Sequence, residues 1–295
     1  MEEIVFNQVY KEYQDGGGLF DFSLSVPKGT VFGLLGPAGA GKSTAISLLM
    51  GFLRPDSGSC TIRGQDCFSN AAHIHRFAGF LPRNPALPPN MTGEAFIAMK
   101  AAISGSASPE KVRTLMERLD INPLVSCGRM NALEQQKLSI LSVFMQTHEV
   151  LLLDEPAAHL DFTARAVLMD ILNEEKARGK TVFMTSHVLE EVQRICDVIG
   201  IIRKGRLAVV QPSASLEYTR QKVYHITFET NAEAGAFAQE WEAAVEVIRN
   251  RVIVAIPASP QVLLKTLARY HVKDLVGGRE SLEESFLRYY GDDVV

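Results

Sequence analysis

A chain of 295 residues is long for one compact domain and suits one large domain with a smaller one attached. Hydrophobic residues make up 46% and charged residues 22%, enough to bury a core and too apolar for a disordered chain. The formal net charge of -4 argues against a nucleic-acid partner, and no run of about 18 apolar residues is present to span a bilayer.

In chain order, short apolar runs alternate with helical stretches, the pattern of an α/β fold with a mainly parallel sheet. Ile4–Phe6, Phe20–Val26 and Thr30–Leu35 read as strands, Lys42–Met50 as a helix, Ser59–Ile62 and Phe77–Leu81 as further strands. A proline-rich turn covers Pro82 to Pro89, and residues from about Thr92 to Met145 read as mostly helical. Val150–Leu153 is continuously apolar and ends in Asp154, as a buried parallel strand does. Ala164–Ala177 reads as a helix stopped by Gly179, followed by strands at Thr181–Thr185 and Val198–Ile202.

After about Val210 the pattern changes. Val223–Glu229 alternates, Ala232–Ala244 reads as a helix, Arg251–Ile256 as a strand, and Val262–Tyr270 and Leu282–Tyr290 as helices. This is expected to be a small α+β appendage of about 80 residues, its boundary falling near residues 211–222. Cys60, Cys67, Cys127 and Cys196 form no CxxC pair and read as free thiols. The opening Met1-Glu2-Glu3 has no basic and apolar leader, so a cytoplasmic protein is expected.

The strongest chemical signal is Gly36-Pro37-Ala38-Gly39-Ala40-Gly41-Lys42-Ser43, which fits G-x-x-x-x-G-K-[ST]. Glycines let backbone N–H groups turn inward around a triphosphate, and the helix that follows aims its N-terminal partial charge at the same phosphates. Lys42 reaches the outer phosphates and the Ser43 hydroxyl ligates Mg²⁺, so Gly36 through Thr44 is the expected ATP cradle. The second part is Asp154-Glu155 at the end of an apolar strand. Asp154 is suited to Mg²⁺, directly or through water, and Glu155 to polarising the attacking water.

These residues resemble an ABC ATPase, over about residues 1–210. The resemblance implies a P-loop fold of that type: a mainly parallel sheet core, an antiparallel N-terminal subdomain, and a helical subdomain at about 84–146. It puts the ATPase domain at 1–212 and an accessory domain at 213–295. It implies that Tyr13 stacks on adenine, that His187 in Thr185-Ser186-His187 contacts the γ-phosphate, and that Leu160-Asp161 meets a partner subunit at the nucleotide. Taken alone, Tyr13 also reads as a surface aromatic and Asp161 as a helix N-cap. His73, His75, His148, His159, His225 and His271 show no ligand spacing and read as structural or solvated. The tail Glu280–Gly291 is similar to the ending of ATPases from bacterial drug- and peptide-export transporters, and reads equally as an ordinary amphipathic helix.

Two departures from the family pattern matter. A glutamine position after the short strand holds Arg83, which has no acceptor and cannot ligate a metal; it is expected to pair with a phosphate or an acidic group of a membrane partner, or to swing out. The signature position reads Met130-Asn131-Ala132-Leu133-Glu134. Asn131 keeps an amide and is a good N-cap, but Ala132 and Leu133 put side chains where glycine should approach phosphate. The reading that follows is an ATP- and Mg²⁺-dependent motor subunit, peripheral on the inner face of the cell membrane. Its expected partners are transmembrane permease subunits and a second cassette, a heterodimer being favoured over a homodimer. A soluble regulatory ABC ATPase, or a nucleotide-binding module without a membrane partner, is the alternative.

Overall fold

The computed structural model describes residues 2–105, 107–215, 222–241, 245–256 and 260–279. Its contacts divide the chain into two compact units, Met1–Ser215 and Leu216–Val295. The first unit begins with strands β1 (Glu2–Glu12) and β2 (Gly18–Pro27), then β3 (Val31–Leu35), helix α1 (Lys42–Leu49), β4 (Ser57–Ile62), β5 (Gln65–Asp66), α2 (Ala71–Ile74) and β6 (Ala78–Leu81). Three helices follow, α3 (Gly93–Ser104), α4 (Pro109–Leu119) and α5 (Ala132–Phe144). The unit closes with β7 (Val150–Leu153), α6 (Phe162–Ala177), β8 (Thr181–Ser186), α7 (Leu189–Ile195), β9 (Val198–Arg203) and β10 (Arg206–Pro212).

Two sheets build this unit. The antiparallel sheet has the order β2-β1-β4-β5, and the larger one runs β10-β9-β3-β8-β7-β6. In the larger sheet β9, β3, β8, β7 and β6 pair parallel, and β10 joins antiparallel at the edge. The sequence reading missed β10. It is turned back by Lys204 and Gly205, both at positive φ (46° and 76°), the backbone of a tight hairpin.

Burial explains the strand types. In β2 the apolar Phe22, Leu24 and Val26 are buried while Asp21, Ser23 and Ser25 are exposed, so one face meets the core and the other water. All four residues of β7 and all six of β8 are buried, because helices and the second sheet cover both faces. Phe6 meets Phe22 edge-on at 5.0 Å, and Phe32 stacks on Phe183 at 5.4 Å, within one apolar cluster that joins the two sheets. The expected helical stretch at 92–145 is interrupted at 120–131, where the chain leaves α4 with Asp120 at φ 50°. All four cysteines are buried and free.

His148, read from the sequence as structural or solvated, is structural. Its ring lies where a Cβ on Gly79 would stand, 2.4 Å from Cδ2. Burial drives its pKa down to about 4, helped by Lys180, Lys100 and Lys111 and opposed by Glu175. The unfolded chain then takes up a proton near pH 6.5 that the folded chain refuses, so this stability is present above pH 6.5 and is lost as pH falls through 4. His148→Gln is expected to remove a pH-dependent loss on the order of 1–3 kcal/mol between neutral pH and pH 4. Urea midpoints of both proteins across that range check it; parallel curves would refute it.

The second unit is an antiparallel sheet, β12-β13-β11-β14, built from β11 (Lys222–Phe228), β12 (Val245–Ile248), β13 (Arg251–Ile256) and β14 (Val272–Arg279). Helices α8 (Asn231–Glu240) and α9 (Gln261–Leu267) supply Phe237 and Leu263 to a core with Ile226, Phe228, Val252 and Val254. The expected helix Ala232–Ala244 stops at Glu240, and the next residue, Trp241, leaves the helix with its ring stacked on Phe237 at 5.7 Å. The expected helix Val262–Tyr270 ends at Leu267. The expected helix Leu282–Tyr290, and with it the tail Glu280–Gly291, lies outside the described residues.

Candidate nucleotide site

The strand order β3-β8-β7-β6 decides where the chemistry lies. These neighbours are parallel, so the loops leaving their carboxyl ends emerge side by side: Gly36–Gly41 after β3, His187 after β8, Asp154-Glu155 after β7 and Arg83 after β6.

The loop after β3 is shaped by its glycines. A Cβ on Gly36 would fall 2.4 Å from the Ile202 carbonyl oxygen. Gly41 has φ 104° and caps α1 with no side-chain bond, and a Cβ there would fall 2.7 Å from the Gly18 carbonyl oxygen. Only glycine fits either place. Helix α1 has no acidic residue in its first turn, so no side-chain charge answers its N-terminal dipole. Lys42 is buried and folds back over the loop, its Nζ donating to the carbonyl oxygens of Gly36 (2.7 Å) and Pro37 (2.8 Å). Ser43 is exposed, and Thr44 is buried.

Asp154 and Glu155 are both buried. Adjacent residues on an extended strand point to opposite faces, but Glu155 sits at φ 43°, a left-handed conformation costly for a side chain this size. That turn swings its carboxylate toward Lys42. Thr185, fully buried on β8, ties the two acids together: its hydroxyl donates to Asp154 Oδ1 (2.7 Å) and accepts from the Glu155 backbone N–H (2.9 Å). The sequence alone gives Thr185 a place in a motif but no task; a hydroxyl on the strand beside two acids is the available signal.

Three groups converge on the Glu155 carboxylate. Lys42 Nζ lies 3.2 Å from Oε1, and Arg83 Nε (3.3 Å) and His187 Nδ1 (3.1 Å) lie at Oε2. His187 is held by the turn before α7, where Ser186 Oγ accepts from the Val188 N–H and bonds Glu191. Arg83, expected to pair with a phosphate or an acidic group of a membrane partner or to swing out, meets an acid of its own chain in this structure. The hydroxyl of Ser43 and the carboxylate of Asp154 are hard oxygen donors of the kind Mg²⁺ takes, so the residues present fit that ion.

The other expected site residues make their contacts elsewhere. Tyr13 is partly exposed on the β1–β2 turn, closed by its N–H to the Gly17 carbonyl (2.8 Å). Asn131 caps α5 in a reciprocal box with Glu134, each side chain accepting from the other's backbone N–H (3.0 and 2.9 Å). Asp161 caps α6 through Ala164 N–H (2.8 Å). His159, set aside in the sequence reading, bonds Asn84 Oδ1 (3.0 Å) and so links the segment after β7 to the one after β6.

Comparison with known proteins places the chain in a family. The family model described as ABC transporter matches residues 19–158. Nod factor export ATP-binding protein I of Burkholderia thailandensis is 35% identical over 208 residues, covering 69% of this chain and 68% of that one. The protein of the same name from Burkholderia orbicola is 30% identical over 302 residues, covering 99% of this chain and 98% of that one. The chain belongs to the ABC transporter family of ATP-binding proteins. Among solved structures, an ATP-binding subunit of an ABC transporter matches this ABC ATPase with a TM-score of 0.66 at 24% identity, over 74% of this chain and 92% of that one. A dimeric cassette bound to ADP and Pi matches with a TM-score of 0.64 at 19% identity, over 71% of this chain and 98% of that one, and both show the shared fold. Proteins of this family bind and hydrolyse ATP, dimerise, and work with transmembrane permeases. Among the described residues of this ABC ATPase, no helix is long and apolar enough to cross a membrane.

Proposed function

We propose that this chain is the motor subunit of an exporter, hydrolysing ATP to drive transport through separate membrane subunits on the inner face of the cell membrane. The observation that carries this reading is the buried Glu155 carboxylate facing Lys42 and His187 at the mouth of the glycine loop. Export follows the printed names of the relatives from both Burkholderia species.

In this reading Gly36–Thr44 holds the triphosphate, with Lys42 on the outer phosphates and Tyr13 against adenine. Ser43 and Asp154 hold Mg²⁺, which when bound neutralises charge on the outer phosphates. Thr185 keeps Asp154 and Glu155 in register. Glu155 accepts a proton from the attacking water, and His187, half-exposed and bonded to Glu155, is free to turn toward the γ-phosphate. Positioning and electrostatics carry most of the rate.

Asn131 and Asp161 enter through the second cassette. In a head-to-tail pair each nucleotide lies between one chain's Lys42, Glu155 and His187 and the other chain's signature helix. In this chain that helix, α5, opens with Asn131, Ala132 and Leu133, and side chains at the last two positions stand off a phosphate that glycine backbone would approach. A homodimer would have two such sites, each weakened by about 10²–10³-fold, whereas a partner with a glycine-rich signature would restore one. We therefore favour a heterodimer.

Purification of the tagged chain from detergent-solubilised membranes tests both parts. A polytopic membrane protein and a second cassette should co-purify, and ATPase should rise by at least about 10²-fold when that cassette is added. Full ATPase from this chain with its membrane subunit alone would rule out the heterodimer, and recovery without any membrane protein would rule out the transporter.

A further inference from the structure

Arg83 is not a loose surface arginine. Before it, Leu81 is buried in β6, paired with Leu153 of β7, and its carbonyl accepts from the Asp154 N–H at 2.8 Å. Pro82 fixes the next φ. After it, Asn84 is held by His159 at 3.0 Å. The chain is thus tied, by a backbone bond before Arg83 and a side-chain bond after it, to the segment that carries Asp154 and Glu155. The Arg83 side chain remains 46% exposed, long enough and free enough to change partners.

Its present partner is a weak hold. At 3.3 Å the half-exposed guanidinium shares one buried carboxylate with Lys42 and His187, so no single partner has that acid to itself. Glu155 also pairs with Lys42 through its other oxygen, so Arg83 stands one carboxylate away from the lysine that the glycine loop directs at the outer phosphates. A terminal phosphate offers more charge and more acceptor atoms than this shared carboxylate, and a guanidinium can meet it with two parallel bonds. We propose that Arg83 is a specificity-determining residue that leaves Glu155 for the terminal phosphate of a nucleoside triphosphate and so distinguishes ATP from ADP. The inference rests on the nucleotide site proposed above. A donor-only group cannot ligate a metal, so the contact works without Mg²⁺ and releases Glu155 from one of its three partners.

Binding of ATP and of ADP to the full-length chain, measured by calorimetry in EDTA and in Mg²⁺, tests it. Arg83→Gln should weaken ATP binding in EDTA by about tenfold or more, the loss of a charge-assisted bond, and leave ADP binding as it is. Arg83→Lys, which keeps the charge but not the fork, should lie between. If Arg83→Gln leaves the ATP-to-ADP affinity ratio at the wild-type value, Arg83 does not touch the terminal phosphate. Should that variant melt early, the same ratio in Arg83→Lys decides. Wild-type protein that binds neither nucleotide would overturn the site itself, a different outcome from an unchanged ratio.

Discussion

Lys42→Ala is expected to weaken ATP binding by at least about 10²-fold and to remove measurable turnover, because the loss of two charge-assisted bonds to phosphate is worth about 3 kcal/mol or more. The geometry limits the side effects. Lys42 Nζ donates to two carbonyl oxygens of its own loop and faces Glu155, so truncation leaves those acceptors to water. Glu155 is not stranded as a lone buried charge, since Arg83 and His187 stay within reach. The variant should therefore fold and melt close to wild type while failing to bind. Equilibrium binding of ATP beside a thermal melt separates the two effects. Binding at wild-type strength would show that the lysine does not serve the phosphates.

Glu155→Gln is expected to do the reverse. An amide cannot take a proton from water, so turnover should fall by about 10²–10⁴-fold. Binding should hold or tighten, because Lys42, Arg83 and His187 then face a neutral group and are more available to an incoming phosphate. Slowed hydrolysis should also let a nucleotide-bound pair accumulate, visible by light scattering with ATP and absent with ADP. Hydrolysis at the wild-type rate would remove Glu155 from its assigned role.

The difference between what was legible in the sequence and what was not follows from range. Buried parallel strands such as Val150–Leu153 announce themselves, since burial on both faces demands continuous apolar residues. The glycine loop was readable because φ values like that of Gly41 leave few other residues possible. Strand β14 was not: Leu275 and Val276 are both exposed, so no alternation marks it, and its partner β11 lies some fifty residues earlier. Helix α8 was read too long because Trp241 and the residues beyond suit a helix locally, while the sheet claims Val245–Ile248 for pairing with β13. At the site, residue types and their loops could be read, but partners could not. The sequence says that Arg83 cannot hold a metal; only the side-by-side arrangement of β6, β7 and β3 makes Glu155 its neighbour. The same holds for Thr185, whose task exists only because β8 lies beside β7.

The crowded carboxylate of Glu155 has a consequence for selectivity among the abundant small anions of a cell. Cations already matched to an internal acid exert little pull at a distance, so chloride, sulfate or free phosphate gains little by approaching. On the proposed nucleotide site, a ligand that brings several charges at once and is gripped along its length is expected to outbid the internal acid, so that the fuel is screened by having to compete.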